Sequence, residues 1–351
     1  MSSSGRPKVV VCRDLGPDVM KLLYERKDLE VVVWPEDQIC DRRWLLDNIH
    51  GASGVLVFLT DKVDDELLDR AGPSLKVVST MSVGYDHVTL PAVSRRHVRV
   101  GYTPDVLTDA VADLSVMLAL MAGRNGGETV AMVQNGEWPG FNWAPFGFCG
   151  PQLSAGPFAS TRTVGFLGFG RISQATLARL VPFGITHCIY TSNPLSPPKP
   201  EFEASLKAQH KLQAVRKVSL DELAAESDVL FVLAPGGDAT KHVVNETFLR
   251  RMKKTSVIVN TSRGTLIDSD ALVKALREGW IWGAGLDVVE GEPKIGADHP
   301  LVKEPRCIVV PHIGSATFET RLGMATLAVK NLLAGISGAA MPAELSLEGR
   351  A

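Results

Sequence analysis

The stretch Thr163–Ser173, TVGFLGFGRIS, decides how the chain is read. An apolar run, TVGFLG, meets a glycine-rich turn, and an amphipathic segment follows. A dinucleotide-binding turn asks for G-x-G-x-x-G, in which the first glycine makes the tight turn. The second lets a pyrophosphate approach the backbone, and the third lets the helix pack on the strand. Gly168 and Gly170 hold the first two positions, but Ser173 stands at the third. Serine is small, so the expected cost is in packing rather than in phosphate binding. The free N–H groups at the start of the helix still suit a phosphate, and Arg171 adds charge.

Working outward, β-rich runs alternate with helix-like stretches on both sides of this turn. KVVVC (8–12), EVVVW (30–34), VLVFLT (55–60), KVVST (76–80) and VRVGY (98–102) precede it. HCIYT (187–191), DVLFVLA (228–234), SVIVN (256–260), GAGLDV (283–288) and CIVVP (307–311) follow it. Continuous apolar strands alternating with helices predict parallel sheets covered on both faces. Ser219 and Glu222 form a capping-box pattern. Asn245 suits an N-cap, and Gly279 suits a helix stop. The run 105–124 is apolar nearly all round, which predicts a helix buried between larger bodies. The irregular, aromatic-rich stretch 135–161 predicts an arm or a functional loop.

The fold expected is α/β, with two Rossmann-like or flavodoxin-like parallel-sheet domains, a cleft between them, and a C-terminal helix returning to the first domain. The expected boundaries are 1–105 with 318–351 for one domain and 106–317 for the dinucleotide-binding one. A chain of 351 residues suits two domains.

A net charge of -2 gives no basic field for nucleic acid or an anionic membrane. No apolar run approaches the ~20 residues of a membrane helix. The start MSSSGRPKVVV is too short in apolar residues for a signal peptide, and the final EGRA is no recognisable address. Five scattered cysteines without a C-x-x-C suit free thiols in a reducing compartment, and a cytoplasmic protein is expected. No metal site is expected.

An NAD site places Asp or Glu ~20 residues beyond the glycines, on the ribose 2′-OH. Gly170 to Pro200 contains neither. Thr191 and Ser192 stand where the acid belongs, Asn193 follows, and Lys199 is a cation that a folded-back loop brings near. An acid there would repel a 2′-phosphate, whereas hydroxyls and an amide would bond to it. NADP(H) is therefore the expected cofactor, with NAD(H) the alternative.

Three further residues sit just past strands: Arg263 in SVIVNTSRG, Glu292 in GAGLDVVEGEP and His312 in CIVVPHIGSAT. Asp287 ends the second of these strands. Ligands bind outside the carboxyl ends of parallel strands, so all face the side of the glycine turn. An arginine offers a fork for a carboxylate or carbonyl oxygen. A histidine, with an ordinary pKa of ~6.5, trades protons near neutrality. A glutamate beside it orients the ring and favours the imidazolium. Taken singly, such an arginine is more often a surface charge and such a histidine more often structural; it is the set that points to chemistry.

The set resembles the D-isomer-specific 2-hydroxyacid dehydrogenases, and within them the glyoxylate/hydroxypyruvate reductases. The matching stretches run from about residue 75 to 335: LKVVSTMSVGYDH, VRVGYTPDVLTDAVADL, GFLGFGRIS, NTSRG, GLDVVEGEP, PHIGSAT and NLLAG. The resemblance implies catalytic roles for Arg263, Glu292 and His312. It implies substrate-carboxylate binding by Val83 and Gly84 with Arg263. It implies cofactor binding by Gly168, Gly170, Arg171 and Ile172, by Thr191, Ser192 and Asn193 at the ribose, and by Pro235, Thr261, Asp287 and Gly314 at the nicotinamide. It also implies a homodimer acting on a small 2-keto or 2-hydroxy acid. Ser173, Thr191 and Asn193 depart from the family's pattern, LAPGGDAT (233–240) is richer in glycine, and QLSAGPFAST looks inserted before the cofactor strand. A longer or aromatic 2-keto acid is the alternative substrate, with Leu59, Met81 and the aromatics Trp138, Phe141, Trp143 and Phe146 as candidate pocket residues; interdomain or dimer packing explains those aromatics equally well. A nucleotide-regulated, corepressor-like scaffold is the alternative role.

Overall fold

The structure is a computed structural model that describes residues 5–193, 195–197 and 199–347. The opening MSSS, the final EGRA, Pro194 and Pro198 lie outside the described residues. Two compact units form, one from Met1–Leu107 with Ala316–Ala351 and the other from Thr108–Ser315.

The first unit alternates β1 (Lys8–Val11), α1 (Pro17–Tyr24), β2 (Glu30–Val33), α2 (Arg42–Asn48), β3 (Ala52–Val57), α3 (Asp65–Ala71), β4 (Val77–Thr80), α4 (Leu90–Arg95) and β5 (Arg99–Gly101). Its strands pair in parallel in the order β2-β1-β3-β4-β5. Val9, Val10 and Val11 are successive residues that face opposite sides of the sheet, yet all three are fully buried. That is the physical meaning of an unbroken VVV run: each face is covered.

The second unit begins with α5 (Thr108–Gly123) and α6 (Gly126–Gln134). After the irregular stretch come β6 (Thr163–Leu167), α7 (Arg171–Leu180), β7 (His187–Thr191), α8 (Pro200–His210), β8 (Ala214–Lys217), α9 (Leu220–Glu226) and β9 (Val229–Val232). Then follow α10 (Glu246–Arg251), β10 (Val257–Asn260), α11 (Ser269–Arg277), β11 (Gly283–Leu286), α12 (Pro300–Lys303) and β12 (Cys307–Val309). Seven parallel strands pair in the order β12-β11-β10-β9-β6-β7-β8. Direction reverses between β6 and β9, so the crevice outside their carboxyl ends is the binding position of a doubly wound sheet.

The chain returns to the first unit as α13 (Phe318–Ser337). The helix approaches β3 and β4 closely because small residues face it. A Cβ on Gly335 would stand 2.6 Å from Val77, and one on Gly54 2.7 Å from Leu332. Asn331, wholly buried, donates to Tyr102 O at 2.9 Å and accepts the Ala343 N–H at 2.9 Å.

Three local expectations meet their geometry. Ser219 and Glu222 form the reciprocal capping box of α9. Asn245 caps α10 through the Phe248 N–H, and Gly279 adopts φ +68 just beyond α11. The expectation for 105–124 needs correction. Ala110, Ala112, Ser115, Leu118 and Ala122 of α5 are buried, but Met117 is 39% exposed. One face of α5 is sealed against α7 and the sheet, so its apolar character is not a sign of burial all round. β8 is an additional strand that the sequence reading did not anticipate. Only Val215 of its AVRK is buried, so its apolar signal is faint.

Candidate active site

The glycine turn follows β6. Gly168 has φ +89, and a Cβ there would stand 2.7 Å from Ala234 Cα, so both conformation and space require glycine. Its N–H donates to Thr191 O at 3.0 Å. At Gly170 an added Cβ would meet nothing within 4 Å. The backbone is therefore open from that side, directly before the first turn of α7, as a pyrophosphate requires. Phe169 anchors the turn by stacking on Tyr190, ring centroids 4.3 Å apart. Arg171 is exposed and Ile172 half-buried at the helix start.

Ser173, where a packing cost is expected, adds a bond of its own. It is buried, and its Oγ donates to Gly168 O at 2.8 Å. The hydroxyl thus ties the helix back to the first glycine, a bond that a third glycine would lack.

At the end of β7 the expected ribose readers part company. Thr191 is buried as the last strand residue, Ser192 is half-buried and Asn193 is exposed. The Asn193 side chain accepts the Leu195 N–H at 2.9 Å, closing an Asx-type turn. Lys199 is exposed at the start of α8 and is not the cation held by this loop. That cation is Lys217, from the unanticipated β8. Its Nζ donates to Asn193 O at 3.3 Å and Ser196 O at 2.8 Å.

At the other end of the sheet, β12 delivers His312 into a turn with φ +54. His312 Nδ1 lies 2.8 Å from Glu292 Oε1. A carboxylate only accepts, so Nδ1 carries the hydrogen and Nε2 is left to face a ligand. Glu292 is held from its other side, where Oε2 accepts the Val289 N–H at 3.2 Å. Asp287 is almost fully buried, and its two oxygens accept the N–H groups of Ile313 at 2.6 Å and Gly314 at 2.9 Å. Burial pushes its carboxyl above the usual range, although those amides and the nearby His312 pull the other way. The Asp287 carboxylate, expected at the nicotinamide end, braces the turn that carries His312.

Arg263 follows β10, half-buried, with Nη1 donating to Ser262 O at 2.7 Å. Asn260 fixes this loop by donating to Arg263 O at 2.9 Å and accepting the Ser262 N–H at 3.0 Å. Thr261 is buried and bonded to Ser115 at 2.7 Å. Pro235 accepts Thr240 Oγ1 at 2.8 Å. A Cβ on Gly314 would stand 2.9 Å from Asp287 Oδ2, so only glycine lets that carboxylate in. Arg263, Glu292 and His312 all follow strands of the sheet that bears the glycine turn, on its carboxyl side.

Val83 and Gly84 belong to the first unit, beyond β4. The Ser82 hydroxyl donates to Gly84 O at 2.6 Å and contacts Thr80 Oγ1 at 2.7 Å. One pair escaped the sequence reading: His242 Nε2 lies 2.7 Å from Glu290 Oε2. Only its sequence neighbourhood, two residues before Glu292, pointed toward it.

Residues 116–314 match the family described as D-isomer specific 2-hydroxyacid dehydrogenase, NAD binding domain. The chain is 43% identical to glyoxylate reductase/hydroxypyruvate reductase of Homo sapiens, covering 97% of this chain and 98% of that one. It is 40% identical to glyoxylate reductase of Thermofilum pendens, over 98% and 95%. A solved NADPH-dependent glyoxylate/hydroxypyruvate reductase of Sinorhizobium meliloti, in complex with NADP and malonate, superposes with a TM-score of 0.79 at 31% identity, over 97% of each chain. The open glycine turn and the match across both sheets make this chain an NAD(P)-dependent oxidoreductase, a member of the D-isomer-specific 2-hydroxyacid dehydrogenase family.

Proposed function

We propose that this protein reduces short 2-keto acids, glyoxylate and hydroxypyruvate, to D-2-hydroxy acids, using NADPH in preference to NADH. The observation that carries the reading is the His312–Glu292 pair, with its free Nε2, beyond the same sheet edge as the glycine turn.

Gly168, Gly170 and the start of α7 would hold the pyrophosphate. When bound, the reduced nicotinamide supplies the hydride. His312 Nε2 gives its proton to the carbonyl oxygen as that oxygen gains charge, and the ring is left neutral with Nδ1 still on Glu292. Glu292 stabilises the charged ring before transfer and fixes its orientation. Arg263 binds the carboxylate and polarises the keto oxygen, and the Val83–Gly84 amides are the proposed second carboxylate contact. The missing acid after β7 supports NADPH, because nothing there repels a 2′-phosphate.

The test is absorbance of the reduced nicotinamide with glyoxylate or hydroxypyruvate, with NADPH and NADH in parallel. Faster oxidation of NADPH is expected. No oxidation of either cofactor, with these or longer keto acids, would overturn the reading and favour a binding role.

A homodimer is part of the proposal. α6 has no buried residue, Val130 and Val133 are half-exposed, and Trp143 and Phe146 are open in the arm beyond it. Light scattering should give twice the chain mass. The free thiols of all five cysteines suit a reducing compartment such as the cytoplasm.

A further inference from the structure

The absence of an acid after β7 explains tolerance of a 2′-phosphate but not attraction to it. Attraction needs a positive charge, and the loop itself holds none near Thr191, Ser192 and Asn193. β8 supplies one. It pairs in parallel with β7, and Lys217 lies opposite Tyr190, one residue from the end of that strand. Its half-buried side chain reaches under the loop, where Nζ donates to Asn193 O and Ser196 O.

Two basic residues stand side by side in β8, and only one has its charge taken. Successive residues of a strand face opposite ways. Arg216 turns to Glu226 and to Glu222, which lies 3.7 Å away. Lys217 turns to the loop and, among the described residues, forms no ion pair. Glu203 meets the main chain of Lys217 instead: its Oε1 accepts the Tyr190 hydroxyl at 2.9 Å and the Lys217 backbone N–H at 3.0 Å. An ammonium has three hydrogens. Among the described residues two carbonyls take two of them, which leaves a third donor and an uncompensated charge beside the loop proposed to meet the ribose.

We propose that Lys217 is the specificity residue for the cofactor's 2′-phosphate. It holds Asn193 and Ser196 through their carbonyls and offers its remaining donor and its charge to the phosphate. This rests on the NADP preference proposed above and names the residue that creates it. A loop staple alone would support phosphorylated and unphosphorylated cofactors equally, whereas a phosphate contact acts on one of them.

The experiment measures binding of adenosine 2′,5′-bisphosphate and of 5′-AMP to the full chain by calorimetry, for wild type, Lys217→Met and Lys217→Arg. Wild type is expected to favour the bisphosphate. Lys217→Met should reduce that preference about tenfold or more, the scale of a charge-assisted contact, with 5′-AMP affinity changed less than about twofold. Lys217→Arg should keep most of the preference, which shows that the site tolerates replacement. A preference that survives in Lys217→Met overturns the proposal while leaving the NADP reading intact. So does an equal weakening of both ligands. A wild type that binds the two alike overturns the NADP preference, and the proposal with it.

Discussion

Two histidine–glutamate pairs lie in the second unit, and they are nearly alike by distance and burial. His312–Glu292 spans 2.8 Å with both side chains 32% exposed, and His242–Glu290 spans 2.7 Å at 37% and 32%. Both histidines sit in left-handed turns, at φ +54 and +50. Both glutamates come from the loop beyond β11. The difference is which ring nitrogen is spent. His312 gives Nδ1 to its glutamate and keeps Nε2, the nitrogen farther from its own backbone, for a ligand. His242 spends Nε2 and keeps the nitrogen beside its backbone. Glu290 is also shared with Lys241 at 3.7 Å, whereas Glu292 is braced by the Val289 N–H. A His–carboxylate contact is therefore not a catalytic signature on its own. The free nitrogen and the support of the turn decide what it can do.

The sharpest way to break this contrast is His312→Ala. Loss of a general acid is expected to lower turnover by ~10²–10⁴, while cofactor affinity, read by fluorescence titration, stays within about threefold. Turnover near wild type would remove His312 from the mechanism.

Asp287→Asn probes the support beneath His312 and should have the next largest effect. An amide accepts through one oxygen, so one of the two N–H donors of Ile313 and Gly314 loses its partner, at a cost of about 1–3 kcal/mol. Turnover should fall by about tenfold as the turn loosens, the equivalent of ~1.4 kcal/mol in the barrier. The pH dependence has a definite sign. Burial raises the folded-state value of Asp287, so the unfolded chain ionises first as pH rises. Stability from this group is complete below the ordinary aspartate value and is lost as pH rises to the raised folded one. The melting temperature of wild type minus that of the variant should therefore decrease across that window and level off above it. A difference that grows with pH would contradict the burial argument.

His242→Ala should have the smallest effect. Both partners are about a third exposed, so the pair contributes up to about 1 kcal/mol, and turnover should remain within about threefold of wild type. A fall matching that of His312→Ala would erase the distinction between the pairs.

Much of this was legible along the chain. Unbroken apolar runs such as VVV and VLFV report strands covered on both faces, and the capping box at Ser219 is a purely local signal. The glycine turn is legible because its demands on φ and on backbone approach fall on neighbouring residues. β8 was missed for a physical reason: an edge strand with one buried side chain has almost no hydrophobic pattern. Lys217 was missed with it. Lys199 looked nearer to the loop in sequence, but a strand register, not chain distance, brings a cation to it.

The amino-acid sequence by itself determined the alternation of strands and helices, the glycine turn, the missing acid after β7, and the placement of Arg263, Glu292 and His312 after strands. Each is a property of a short segment. Tertiary structure decided what joins segments far apart in the chain. It set the Ser173 bond to Gly168 and the burial of Asp287 under the His312 turn. It chose Nδ1 rather than Nε2 as the nitrogen given to Glu292, and it brought Lys217 beneath the loop after β7. Those choices rest on strand order, register and rotamer, which no local pattern encodes.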